Sequence, residues 1–221
     1  MKRSFQCAFG TAALLLSSSA WAQDFSAKGQ LAISAERLFG FVHDSATLDG
    51  NTTKTDTISL LSSPLIVGSS GVWGGFGTPR VAGDYFVIDH LSVGGAIGYA
   101  HWSVSTPNGP VTTSVDADSF TFAPRAGYFF GFTDIVGIWP RAGFTYKTYS
   151  SGNNSGHDLA LTIEAPFMFT VIPHVAFWGG PTLDVGLSGS QSQKVGTTTR
   201  SVDFNATEIG IQTGLVGYVD L

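Results

Sequence analysis

The sequence predicts an all-β fold: an eight-stranded antiparallel up-and-down transmembrane β-barrel. Three observations point there. Only 12% of the 221 residues are charged and 28 are glycine, whereas an ordinary soluble domain carries about 25% charged residues. No internal apolar run reaches the roughly 18 residues that a spanning helix needs; apolar residues instead alternate with small or polar ones at period two. The connections between these alternating stretches are long and polar after odd strands and short after even ones, the pattern of a barrel with long loops on one side of a membrane and tight turns on the other.

The chain opens on an expected targeting segment, residues 1–22. Met1-Lys2-Arg3 is a basic start, Ala8 to Leu16 an apolar run, and Ala20-Trp21-Ala22 a small-x-small cleavage site. Cleavage after Ala22 leaves residues 23–221 as the barrel domain. The only cysteine, Cys7, goes with the leader, so no disulfide or thiol chemistry is expected. Losing Lys2 and Arg3 leaves nine basic residues against sixteen acidic ones, a balance that argues against a nucleic-acid partner.

The first strand runs from about Gly29 to His43, with Leu31, Ile33, Ala35, Phe39 and Phe41 opposite Ala32, Ser34, Glu36, Leu38 and Gly40. Arg37 breaks the outward face and marks a bulge or local shift. A polar connection from Asp44 to about Thr57 follows, turning at Asp49-Gly50-Asn51; residues 58–73, interrupted by Pro64, read as part of this long first loop. The second strand, Gly77 to Ile88, sets Tyr85 and Val87 against Arg80, Ala82 and Asp84. Asp89-His90 turns the chain into the third, Leu91 to Ser103, whose Ser92, Gly94, Ala96, Gly98 and Ala100 suit a narrow interior.

A polar tip at Pro107-Asn108-Gly109-Pro110 leads to the fourth and fifth strands, which share a phrase: Ala123-Pro124-Arg125-Ala126-Gly127-Tyr128 and Trp139-Pro140-Arg141-Ala142-Gly143-Phe144, with a turn at Gly131–Asp134. The sixth strand spans Asp158 to Thr170, the seventh His174 to Ser188 and the eighth Asp203 to Val219. The Ser150–Gly156 and Gly189–Arg200 stretches read as loops, and Ile172-Pro173 as a tight turn. Pro79, Pro124, Pro140 and Pro181 all fall on outward positions without a ladder donor, which is unfavourable in a closed sheet and calls for bulges to absorb it.

The shared hairpin decides which face meets what. One face carries Phe120, Phe122, Tyr128, Phe130, Phe144 and Tyr146; the other carries Thr121, Ala123, Gly127, Gly143 and Thr145 with isolated charges. A water-facing surface would be rich in Lys and Glu. The aromatic face therefore meets lipid, and the small face lines the barrel. Outward aromatics gather in two girdles: Phe41, Tyr99, Phe120, Phe122 and Tyr146 near the long loops, and Tyr85, Tyr128, Phe130, Phe167 and Phe169 near the short turns.

The same period points nine charges inward: Glu36, Arg80, Asp84, Arg125, Arg141, Lys147, Glu164, Asp184 and Glu208. Eight strands leave an interior that side chains fill, and charges there must pair. The expected result is a structural plug of ion pairs with no open pore, Arg141–Glu164 across adjacent strands being its leading pair. The alternative is a small proton or ion path.

With its leader, its strand pattern and phrases such as Leu91-Ser92-Val93-Gly94-Gly95-Ala96-Ile97-Gly98-Tyr99 and Pro124-Arg125-Ala126-Gly127-Tyr128, the chain resembles the small eight-stranded outer-membrane barrels of the OmpA/OmpX and opacity-protein type. The resemblance covers nearly all of residues 23–221 and implies a porin-like protein of a Gram-negative outer membrane. It also implies a monomer that contacts outer-membrane lipid, needs no cofactor or metal, and has a structural or cell-surface binding role exercised on an unidentified ligand through its loops. Such barrels commonly end on an aromatic residue; this chain ends Tyr218-Val219-Asp220-Leu221.

Some eight-stranded barrels are lipid A deacylases with a His-x-Ser pair on the outer surface, and His101-Trp102-Ser103 has that spacing. A Ser–His pair can form a nucleophile, here with Asp116 or Asp118 left to orient the imidazole, since no Glu follows before Glu164. This lipid A-modifying reading is the alternative to a barrel without catalytic function. His43, His90, His157 and His174 show no metal-ligand spacing.

Overall fold

The computed structural model describes residues 25–60, 76–108 and 111–221. The expected leader, its cleavage site and Cys7 lie outside the described residues, as do most of the 58–73 stretch and the Gly109-Pro110 tip. In chain order the strands are β1 (Gln30–Leu48), β2 (Asn51–Leu60), β3 (Arg80–Ile88), β4 (Leu91–Asn108), β5 (Val111–Tyr128), β6 (Phe130–Gly131), β7 (Val136–Ile138), β8 (Arg141–Ser151), β9 (Asn154–Glu164), β10 (Phe167–Ile172), β11 (Val175–Val195) and β12 (Thr198–Asp220). Strands β1, β3, β4, β5, β8, β9, β11 and β12 pair antiparallel in that order. β12 then pairs with β1, so eight strands close a ring without an edge. β6, β7 and β10 continue β5, β8 and β9 past local breaks at the short-turn end.

Two of those breaks are made by proline. Pro140 separates β7 from β8 and Pro166 separates β9 from β10. Each lacks an N–H but keeps a carbonyl: Tyr128 N–H donates to Pro140 O at 3.0 Å and Trp139 N–H to Pro166 O at 2.9 Å. The ladder thus keeps its acceptors where it loses donors.

The four long connections differ from the sequence expectation. Most of the residues read as loops extend the barrel strands as hairpins. β1 runs on to Leu48 and pairs with β2, β4 and β5 stay paired from His101–Asp118 to Asn108–Val111, and β11 and β12 pair out to Val195–Thr198. The turns shrink to pairs such as Asp49-Gly50, whose φ angles of 48° and 79° are both positive, as a two-residue type I′ hairpin turn requires. These extensions are rich in Ser, Thr and Asn on both faces. Their composition carries no sustained apolar alternation.

Outward positions form an exposed apolar belt. Ile33, Val81, Val93, Ile97, Phe122, Phe144, Ile163, Phe177, Ile209 and Ile211 all stand in the open, and so do all ten girdle aromatics. A continuous belt of this kind has no stable existence in water and fits the hydrocarbon core. Inward positions form layers. At the short-turn end Phe86, Phe129, Trp139, Met168, Trp178 and Tyr218 pack together. Ala82, Ala96 and Ala123 form a small-residue patch on the inner wall. Towards the long hairpins Ala46, Phe76, Ala160, Phe204 and Ala206 form a second cluster.

Candidate functional site

The interior charges form the first candidate site. All nine residues expected inside are buried. Arg125 is a two-sided fork. Its Nε and Nη2 donate to Asp84 at 3.0 and 2.5 Å, and its Nη1 and Nη2 donate to Glu36 at 2.7 Å each. Arg80 Nε donates to Glu36 at 2.8 Å and its Nη2 to Glu164. Arg141 lies opposite Glu164 in the β8–β9 register, and the two meet at 2.8 Å; its other terminal nitrogen reaches Glu36 at 2.7 Å. Arg141 also lies over the Trp139 and Trp178 rings at 5.0 and 5.3 Å, so the ion network rests on the aromatic layer below it.

The sequence reading did not place Arg37 in this network. Between Ala35 and Phe39 the β1–β12 register slips, and Arg37 takes a φ of 57°. This bulge turns a residue of nominally outward parity into the lumen. There Arg37 contacts Asp184 at 3.0 Å, Glu164 at 3.3 Å and Glu208 at 3.6 Å, and donates to Phe76 O at 2.5 Å. Glu36 is thereby held by Arg80, Arg125 and Arg141, and Glu164 by those three and Arg37. The acids receive neutral donors as well: Ser34 to Glu36, Thr162 to Asp184 and Gln212 to Glu208. Lys147 is buried on β8 opposite Asp158 of β9. Asp158 is buried too, and Asp44 faces Glu208 across the β1–β12 pair; neither was on the sequence-derived list, because both fall at the margin between membrane strand and expected loop.

The short-turn mouth holds another feature the sequence did not disclose. Phe25 packs edge-on against Phe86, Phe129, Trp139 and Tyr218 with centroids 4.9 to 5.4 Å apart. Ser26, next to it, is fully buried; its N–H donates to Gln30 Oε1 at 2.7 Å and its hydroxyl meets His90 Nδ1 at 2.8 Å. The only available signal was one aromatic residue just after the leader.

The outer surface carries the second candidate site. His101 on β4 faces Asp118 on β5, and its Nδ1–H donates to Asp118 Oδ1 at 2.9 Å; Tyr99 Oη–H donates to the same oxygen at 2.7 Å. Asp118 is the first charged outward residue of β5 beyond the Phe122 and Phe120 rings, and so stands outside the membrane. The bonds from Tyr99 and His101 hold its carboxyl below the usual carboxylate range. Of the two acids the sequence left open, Asp118 is the one that orients the imidazole, leaving Nε2 as an acceptor. Ser103 is exposed two residues along β4, opposite Asp116. Among the described residues, no group of three or more His, Cys, Asp or Glu side chains could hold a metal ion.

No family model matches the chain, and no curated protein matches it in sequence. Solved structures do match its fold. The outer membrane protein OprG from Pseudomonas aeruginosa superposes with a TM-score of 0.54 at 14% identity, over 90% of this chain and all of that one. The outer membrane protein AlkL, determined in lipid bilayers, superposes at 0.52 and 10% identity, over 90% of this chain and 94% of its own. The chain therefore has the fold of the small eight-stranded outer-membrane β-barrels.

Proposed function

We propose that this protein is an outer-membrane barrel, exported by a cleaved leader, whose interior is closed by ion pairs and whose projecting hairpins serve envelope structure or surface binding. The likeness to outer-membrane barrels of known structure supports the location. The observation that carries the closed interior is the double hub of Glu36 and Glu164, each gripped by several buried guanidinium groups. A mobile conduction path would need these charges to exchange partners, whereas bidentate forks fix them in place. The apolar clusters on either side of the hubs, Phe86, Trp139 and Met168 at one end and Phe76 and Phe204 at the other, support the same reading. Planar-bilayer recording tests the reading: the barrel is expected to give no steady conductance, and stable steps in the unmodified protein would refute it.

One observation favours a second reading, modification of lipid A. His101 is held by a carboxylate in the manner of a base, and Ser103 shares its face. In this reading Ser103 Oγ would attack an acyl-ester carbonyl as His101 Nε2 takes its proton, the sugar oxygen would leave with that proton, and water would then hydrolyse the acyl-serine to release the fatty acid. The test is mass spectrometry of lipid A incubated with the folded barrel. Acyl loss that disappears in His101→Ala supports the reading; unchanged lipid A eliminates it.

A further inference from the structure

A groove of about 480 Å³ runs along the outer wall at the upper girdle, crossing β4, β5, β8, β9 and β11. We propose that it holds the sugar headgroup of an outer-leaflet glycolipid. This goes beyond the reading above, which places recognition on the hairpin tips.

Its floor is aromatic. Tyr99, Phe120 and Tyr146 line it, and all three rings are exposed on the barrel surface. Tyr99 and Phe120 are cross-strand partners, so their rings stand side by side. The electron-rich face of such a ring attracts the C–H face of a pyranose, which is apolar and slightly positive. The walls are hydroxyls and imidazole: Thr148, Ser150, Ser155, Ser190 and Ser192 with His157. Each hydroxyl both donates and accepts, which matches a ligand dense in hydroxyl groups.

Parts of the site are fixed in advance. Tyr99 is tied to Asp118 at 2.7 Å, and the His157 ring lies 6.2 Å from Tyr146 with its Nδ1 3.4 Å from Ser190 Oγ. A rigid site costs less ordering on binding.

Charge selects among headgroups. Among the described residues no Lys or Arg lines the groove, while Asp118 does. A phosphate would meet a carboxylate with no cation to offset it. A quaternary ammonium would suit the rings and Asp118, but it carries no donor or acceptor for the five hydroxyls. A neutral sugar uses every component. Directly below the groove lie Ile97, Phe122, Phe144 and Leu161 of the apolar belt. A ligand whose sugar fills the groove therefore continues into acyl chains along the belt, which makes it a lipid and not a free saccharide.

The test is native mass spectrometry of the barrel released from micelles containing glucosyl-diacylglycerol, phosphatidylglycerol and phosphatidylcholine with matched acyl chains. The glucosyl lipid is expected to be retained preferentially. Retention should fall about fivefold to tenfold in Tyr146→Leu, which keeps apolar bulk but removes the ring. Thr148→Val, a nearly isosteric loss of one hydroxyl, is the second variant and reads the same site should Tyr146→Leu fail to fold. Equal retention of the three lipids, preference for either phosphate-bearing lipid, or retention unchanged in the folded variants would overturn the proposal. Displacement of the lipid by millimolar glucose would overturn its lipid component.

Discussion

Glu164→Gln is the most informative change in the interior. One carboxylate oxygen of Glu164 faces Arg80 and Arg37, and the other faces Arg141 at 2.8 Å and Arg125 at 3.4 Å. Glutamine has the same shape but only one acceptor oxygen; its NH2 must point donors at two guanidinium groups that have only donors to offer. Four buried cations lose a shared counter-charge. Removing one partner of a buried ion pair typically costs about 3–5 kcal/mol, and the shared role of Glu164 puts this variant at the upper end. Urea titration of the folded barrel in lipid micelles, read by the gel mobility of unheated samples, measures the loss. The control is Ser150→Ala on an exposed hairpin position, expected to change stability by less than about 0.5 kcal/mol. If Glu164→Gln costs less than about 1 kcal/mol, the figure for a solvent-exposed pair, the network is not the fixed and dry structure argued above.

Other outcomes follow from the same geometry. Arg141→Glu should destabilise the barrel by at least as much, because it sets a carboxylate between Glu36 and Glu164; adding Glu164→Arg should restore part of the loss, as a double-mutant cycle would report. Phe25→Ala removes the ring that seals the short-turn mouth and should cost about 2–4 kcal/mol in the same titration. Gly143→Ala should block folding or cost several-fold more than Gly50→Ala. A Cβ at Gly143 would overlap Pro124 O on the neighbouring strand, whereas Gly50 has open space and only its positive φ to satisfy. Ile163→Arg in the belt should cost about 2–4 kcal/mol, and the same change at Ser155, above the girdle on the same strand, about 1 kcal/mol or less.

How much of this could be read in advance depended on how directly each feature follows from period two. The lipid-facing and lumen-facing sets of every barrel strand are legible, because a side chain's face is fixed by parity once a strand is recognised. Arg141–Glu164 is legible too, since the two lie on consecutive hairpin-linked strands. Arg37 is not: parity places it outside, and only the bulge turns it inward to Glu208 on the adjacent β12 and Asp184 on β11. The hairpin extensions escape for the opposite reason. Thr52, Thr53 and Thr55, or Ser190, Gln191 and Ser192, are polar at every position, so no alternation distinguishes a solvated ribbon from a loop. The choice of Asp118 over Asp116 rests on the β4–β5 register, which pairs Asn108 with Val111 and hence His101 with Asp118. The Phe25 seal depends on tertiary aromatic packing, and a single aromatic beside the leader carries no such pattern.

The aromatic and aliphatic face of the wall is expected to meet lipid, and the small, charged face to line the lumen. Single cysteines placed in a Cys7→Ala background test it directly, at Val93, Ile97, Phe122 and Phe144 on one face and at Ser92, Ala96, Thr121 and Thr145 on the other. Each is labelled in reconstituted vesicles and exposed to a quencher dissolved in the acyl chains. Strong quenching is expected at the first four positions and little at the second four. The inverse pattern, or quenching without a two-residue period, would contradict it.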